Sequence, residues 1–444
     1  MEEHPRFDWI QLVRVGPFND IRLNFEPGAE DGTVLNIFTG VNGSGKTTVL
    51  EALAQVLCLN VNSALAQRLA SRFWDAKSIV RFSFGGEVGE YWLSSNRRQA
   101  MINNNSFSAE LQGLPSERKL LRYFDAVSRY QRRRTEEFDF AAFAYSGRRE
   151  FESVQVKAIQ DLEGSPFVNA LNFDNAGASK NLVQWVANTF AKSALIEVEG
   201  RKDEADEIRW PMRLIERFIS ELSEREFRFV LEQSPFDVRV ELDGKRFDWS
   251  VLPDGIKSEI SWLADLLLRM DGIRWSDDRP IQDRRFLLFL DEIDIHLHPA
   301  WQRRILPLVP KIFRNAQVFV STHSPFVVGS AENAYIYKFD SYDGVIKPAH
   351  GSAGMSLGAI LDDSFDVPEE FDERTEELLI KFRAERDLFM KDQTKARQDR
   401  LSYIAQELSE RGPELQDIVS AELVQIKRHT GVDLRAGGEL DIPN

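Results

Sequence analysis

Three short, nearly unbroken apolar runs punctuate this 444-residue chain: Val34-Leu35-Asn36-Ile37-Phe38, Phe286-Leu287-Leu288-Phe289-Leu290 and Gln317-Val318-Phe319-Val320. Each is too short for a buried helix and predicts a strand. The run from Phe286 has no polar position, so it predicts a strand buried on both faces, as in a parallel sheet. Phe138 to Tyr145 predicts another. A second pattern appears where Gly85-Gly86 separates Ile79–Phe84 from Glu90–Leu93. That is a hairpin signal and predicts an antiparallel flank. Phe227 to Leu242 reads as one strand, turned by Asp243-Gly244 towards Phe247-Asp248-Trp249.

Helical spacing occupies the rest. Leu182, Val183, Val186, Ala187 and Phe190 share one face, as do Leu214, Ile215, Phe218, Ile219 and Leu222. No heptads are sustained there, so the stretch predicts a short helical lid and not a coiled-coil arm. Leu401, Ile404, Ala405 and Leu408 recur at i, i+3, i+4 and i+7, and Leu415, Ile418 and Val419 resume beyond Gly412-Pro413. These tail faces have two readings: they pack on the rest of the chain, or they bind a second copy or a partner. Asn103-Asn104-Asn105 predicts a loop, and Arg435 to Asn444 a fraying end. The expected organisation is 1–150 and 227–350 as the two halves of a core, 151–226 as the lid, and 351–444 as a helical interaction region.

The chemistry starts at Gly40-Val41-Asn42-Gly43-Ser44-Gly45-Lys46-Thr47-Thr48, between the strand from Val34 and the helical run Thr48–Ala54. The spacing fits G-x-x-x-x-G-K-[ST] in its strand–loop–helix context. A triphosphate is densely anionic and needs many donors in a small space. Glycines let successive backbone N–H groups turn inward, and the helix start adds the positive end of its dipole. Lys46 would reach the β- and γ-phosphates, and Thr47 would offer a hydroxyl to Mg²⁺. Asp291-Glu292 closes the strand from Phe286. An acid at that strand end is placed to hold a metal's water shell, and Glu292 to polarise an attacking water. Ser321-Thr322-His323-Ser324-Pro325 closes the third run, where His323 reads as a sensor of the γ-phosphate. His296-x-His298 is a weak zinc candidate, because zinc needs three or four ligands and no cysteine lies near.

In this order the motifs resemble the soluble branch of ATP-binding-cassette P-loop ATPases that includes SMC, RecF and the OLD-family nucleases. Asp291 to Gln302, His323-Ser324-Pro325-Phe326 and the opening Ile10 to Asp20 carry the likeness, which spans roughly residues 8–340. Size and motif layout are similar to the Septu-type antiphage defence ATPases. The resemblance implies an α/β ABC-ATPase core, a mixed sheet with flanking helices and an antiparallel flank. It implies ATP and Mg²⁺ held by Asn42, Gly43, Ser44, Gly45, Lys46, Thr47, Thr48 and Asp291, with Glu292 and His323 catalytic. It also implies a homodimer or higher oligomer meeting head to tail, in which Asp254 and Gly255 of a signature-like loop cover the nucleotide of the other copy. Asp294 is the residue expected to cross that interface. In this loop Pro253 stands where the family carries Ser, removing a hydroxyl and an N–H, so slow turnover is expected.

Composition narrows the functions. Net charge is −15, which argues against wrapping a polyanion over the whole surface. Local basic runs, Arg97-Arg98, Arg132-Arg133-Arg134 and Arg148-Arg149, keep a nucleic-acid contact open. Cys58 is the lone cysteine, no run approaches a membrane span, and the start from Met1 is polar. A cytoplasmic protein is expected. After His323 only helical tail remains, with too few strand signals for a nuclease domain. The leading reading is therefore an ATPase that controls a separate effector such as a nuclease. The alternatives are a RecF- or SMC-like DNA repair or recombination ATPase, and a slow nucleotide-sensing interaction module.

Overall fold

The apolar runs lie side by side. The computed structural model describes residues 5–26, 32–57, 78–93, 119–133, 135–147, 159–160, 164–173, 178–234, 236–339, 346–350, 354–365, 367 and 370–434. Cys58, Arg97-Arg98, Asn103–Asn105, Arg134, Arg148-Arg149 and the end from Arg435 lie outside them. Strands β3 (Val34–Gly40), β6 (Ala141–Tyr145), β10 (Arg285–Leu290), β11 (Asn315–Ser321) and β12 (Ala334–Phe339) are parallel, and β13 (Ile346–His350) runs antiparallel beside β12. The order is β13-β12-β3-β11-β10-β6. Register aligns Phe38 with Ser321, Val320 with Leu290, and Leu290 with Tyr145. The C-terminal ends of four strands, each followed by a motif or a glycine, therefore share one edge.

The antiparallel flank is a second sheet, β2-β1-β4-β5, of β1 (Phe7–Val15), β2 (Phe18–Asn24), β4 (Ser78–Phe84) and β5 (Glu87–Leu93). Its inner face carries Ile10, Leu12 and Val15, all buried. Rings join the two sheets: Phe25 and Phe7 meet Phe319 edge-on at 5.0 and 6.1 Å. The Gln317 side chain crosses between them, accepting from the Phe7 N–H and donating to its carbonyl at 2.8 and 2.9 Å.

The long run from Phe227 is two strands, β7 (Phe227–Gln233) and β8 (Phe236–Leu242), paired antiparallel with β9 (Lys245–Phe247). The two strands meet at the pair Gln233 and Phe236. Helices Ala178–Val198 and Lys202–Ser223 bury the faces their spacing marked, with Phe190 half-buried, and helix Asp254–Asp271 sets Trp262 fully enclosed near Phe218 and Tyr145.

The chain divides into two compact units, Met1–Ile360 and Leu361–Asn444. In the second, helices Glu373–Lys391, Lys395–Ser409 and Pro413–Thr430 bury Phe382, Phe389, Leu401, Leu408, Val419 and Ile426 on one another. The tail faces thus build a core of their own, an outcome that helical spacing alone does not distinguish from docking elsewhere.

Candidate nucleotide-binding site

The P-loop forms where β3 ends. Gly43 and Gly45 have φ of +82° and +102°, the left-handed region that glycine enters without steric cost. Gly45 caps helix Lys46–Val56, and a Cβ there would lie 2.3 Å from the Phe18 ring. Lys46 is 5% exposed, and its Nζ donates to the carbonyls of Gly40 and Val41 at 2.9 Å each. Burial lowers its pKa to about 8, against the pull of Asp291, Glu292 and Asp294. The buried Ser44 hydroxyl has no hydrogen-bond partner among the described residues.

Thr47 and the β10 acid meet although 244 positions separate them: the Thr47 hydroxyl lies 3.1 and 3.0 Å from the two Asp291 carboxylate oxygens and donates to them. Ser321, at the end of β11, joins them. Its hydroxyl donates to Asp291 and accepts from the Glu292 N–H at 2.8 Å. The Asp291 N–H donates to the Tyr145 carbonyl at 2.9 Å. Glu292 follows at φ +50°, a left-handed conformation that costs a non-glycine residue of order 1 kcal/mol or more.

Asp294 accepts from the Thr322 hydroxyl at 2.7 Å and from the His323 N–H at 3.3 Å, so one carboxylate oxygen is held within its own chain. The His323 pKa is lowered, by burial first and then by Lys46, against Asp294 and Asp291. The imidazole is therefore neutral near pH 7, able to donate from one nitrogen and accept at the other.

A cavity of about 450 Å³ opens over these groups. It is lined by Asn42, Gly43, Gly45, Lys46, Thr47 and Thr48 of the loop, by Gly16 and Pro17 of the β1–β2 turn, and by Glu292, Ser321 and His323. Loop and catalytic candidates are thus brought together. Asp254 and Gly255 are absent from the lining. They open helix Asp254–Asp271 behind Pro253, where a Cβ on Gly255 would lie 2.6 Å from the His296 carbonyl. Asp254 is exposed and pairs with Lys257 at 3.3 Å. His298 caps helix Pro299–Ile312, its ring accepting from the Ala300 N–H, and no group of three candidate metal-binding residues occurs among those described.

Sequence reasoning gave no role to Ser321, Gly16 or Pro17. Ser321 stood two positions before His323 at a strand end, and that placement was the available signal. Gly16-Pro17 announces only a turn, and nothing in its pattern says what the turn faces.

Comparison with known proteins follows the same line. Residues 35–329 match the family model described as "AAA domain, putative AbiEii toxin, Type IV TA system", and residues 5–61 match a second AAA-domain model. A "Retron Ec83 probable ATPase" of Escherichia coli is 32% identical over 113 residues, 26% of this chain and 20% of that protein. The "Septu protein PtuA" of Bacillus thuringiensis is 25% identical over 340 residues, covering 72% of each. Among solved structures, an SMC head bound to the C-winged helix domain of ScpA aligns with 78% of this chain and 98% of its own, at 13% identity and a TM-score of 0.41.

Proposed function

From the premise that this chain belongs to the AAA-domain family it matches over residues 35–329, we propose that it binds ATP with Mg²⁺ and hydrolyses it to drive a change of shape. The carrying observation is the convergence of Thr47, Asp291 and Ser321 beside Lys46, built from three distant strand ends. The "probable ATPase" in one relative's name supports the same reading. Lys46 and the amides of residues 42–48 bind the phosphates. Thr47 and Asp291 are hard oxygen donors within 3.1 Å of each other, a set that suits Mg²⁺. The ion, when bound, would neutralise charge on the β- and γ-phosphates. Glu292 orients and polarises the attacking water, and His323 contacts the γ-phosphate. The catalytic contribution is positioning and electrostatics, with no covalent intermediate.

Measured phosphate release tests this reading. Glu292→Gln should keep ATP affinity and lower turnover by about 10²–10⁴-fold. A parental rate in that variant removes Glu292 from the role.

The wider reading is that two copies meet head to tail, with Asp254 and Gly255 of one covering the nucleotide of the other. Closure then controls a separate effector, a nuclease, in bacterial antiphage defence in the cytoplasm. The relatives' names, Septu and retron, support the setting, and no helix among the described residues is long and apolar enough to cross a membrane. ATP-dependent dimerisation of Glu292→Gln, followed by light scattering, tests the closure. A pull-down with the same variant tests the effector. Pro253 favours a second reading, a slow nucleotide sensor, because it lacks both the hydroxyl and the N–H expected at that loop position. Normal affinity with no phosphate release would decide for it.

A further inference from the structure

Gly147 sits two residues beyond Tyr145, the last residue of β6, and is buried. A Cβ placed on it would lie 2.5 Å from the Glu292 carbonyl oxygen, 2.9 Å from the Glu292 Cβ and 3.0 Å from the Ile295 Cδ1. Non-bonded carbon atoms sit most comfortably at about 3.5–4.0 Å. The turn that carries Glu292 therefore exists in its present place only because residue 147 has no side chain.

The wall on the β6 side is anchored. The Tyr145 carbonyl accepts from Asp291, and the buried Tyr145 hydroxyl donates to Asp265 at 2.9 Å. Asp265 also receives Arg269 Nε at 2.5 Å, and Arg269 reaches the carbonyls of Pro166 and Val168 at 2.7 and 2.8 Å. The Ala144 N–H donates to the Ala170 carbonyl at 2.7 Å. Helix Asp254–Asp271 and the turn at 165–172 thus fix this strand end. Glu292, by contrast, is already at φ +50° on a turn. Added bulk at 147 would press directly on the Glu292 backbone and Cβ.

We propose that Gly147 is a positioning residue for Glu292: its bare backbone is the wall that sets where the water-activating carboxylate stands, and the Tyr145–Asp265–Arg269 chain holds that wall still. The inference rests on the role proposed for Glu292. It adds that the carboxylate's placement is governed from β6 and the helix beginning at Asp254, and not from the P-loop.

The experiment is a double-mutant cycle in phosphate release, with ATP affinity measured in parallel by a fluorescent ATP analogue. Gly147→Ala should lower kcat by about 10–100-fold, the scale of a misplacement near 1 Å, with affinity unchanged. In the Glu292→Gln background it should cost nothing further, since the carboxylate it displaces is gone. A general packing defect would instead add its loss in both backgrounds. A slow Glu292→Gln beside a fully active Gly147→Ala, or additive losses, overturns the inference alone. A parental rate in Glu292→Gln overturns the role of Glu292 and this inference with it. If Gly147→Ala does not fold, Tyr145→Phe decides. It keeps the ring in the core and releases the anchor, so a lower kcat at unchanged affinity supports the proposal and a parental kcat overturns it.

Discussion

The nucleotide-binding unit and the C-terminal helical unit bury different things. The first encloses charged and hydroxyl groups at its strand ends: Lys46, Asp291, Ser321 and Thr322 are all less than a tenth exposed. The second encloses a leucine- and phenylalanine-rich cluster, and its buried polar residues among those described are Ser364 and Thr375, neither of them charged. Burying a charge is costly unless partners are arranged around it. One unit therefore holds its polar groups in a fixed geometry at the expense of stability, and the other has only hydrophobic packing to satisfy. The first has the makings of a chemical site, the second of a scaffold.

Mutations can break or sharpen this contrast. The largest effect is expected in the tail. Phe389 is fully buried, and Phe389→Ala should destabilise that unit by about 3–5 kcal/mol, read as lost hydrogen-exchange protection across its helices. ATP affinity should not change, and weakened binding would mean the two units are energetically joined. Next in size, Lys46→Ala should remove about 1.5–3 kcal/mol of charge-assisted binding, roughly 10–150-fold in Kd by titration calorimetry, with little change in tail protection. An unaltered Kd takes Lys46 out of the site.

The smallest effect is one of pH. Lys46 titrates at about 8 in the folded chain against an ordinary 10.5. Between those values the unfolded chain binds the extra proton, so this residue's contribution to stability rises with pH. Binding has the opposite sign, because a polyphosphate favours the ammonium. ATP affinity should weaken above pH 8, by at most about tenfold per pH unit. A flat profile from pH 7 to 10 would show that Lys46 does not face the phosphates.

The parallel strands, the P-loop and the acid at the end of β10 were legible in the sequence because each is a local pattern. Apolar runs, glycine spacing and a charge at a strand end are visible within ten residues. The hairpin hidden in Phe227–Leu242 was missed because both strands mix apolar with charged residues in a similar way, and only Ser234-Pro235 marks their division in the sequence. Ser321, Gly16 and Gly147 were missed for another reason: each matters for what lies against it in space, and those neighbours come from other segments. The placement of Asp291 at a strand end was readable, but the Thr322 and His323 contacts of Asp294 were not, since the likeness to known ATPases pointed that carboxylate towards another molecule.

The great separation between Thr47 and Asp291 bears on synthesis. The loop leaves the ribosome with β3, but the strand that pairs beside it, β11, and the acid on β10 come more than 240 residues later. At about 5–20 residues per second, that is a wait on the order of 10–50 s. Throughout it the nascent chain has a phosphate cradle with no acid opposite. The contact of Thr47 with Asp291 and Ser321 can thus form only once translation has passed β11, so the site is assembled late and all at once.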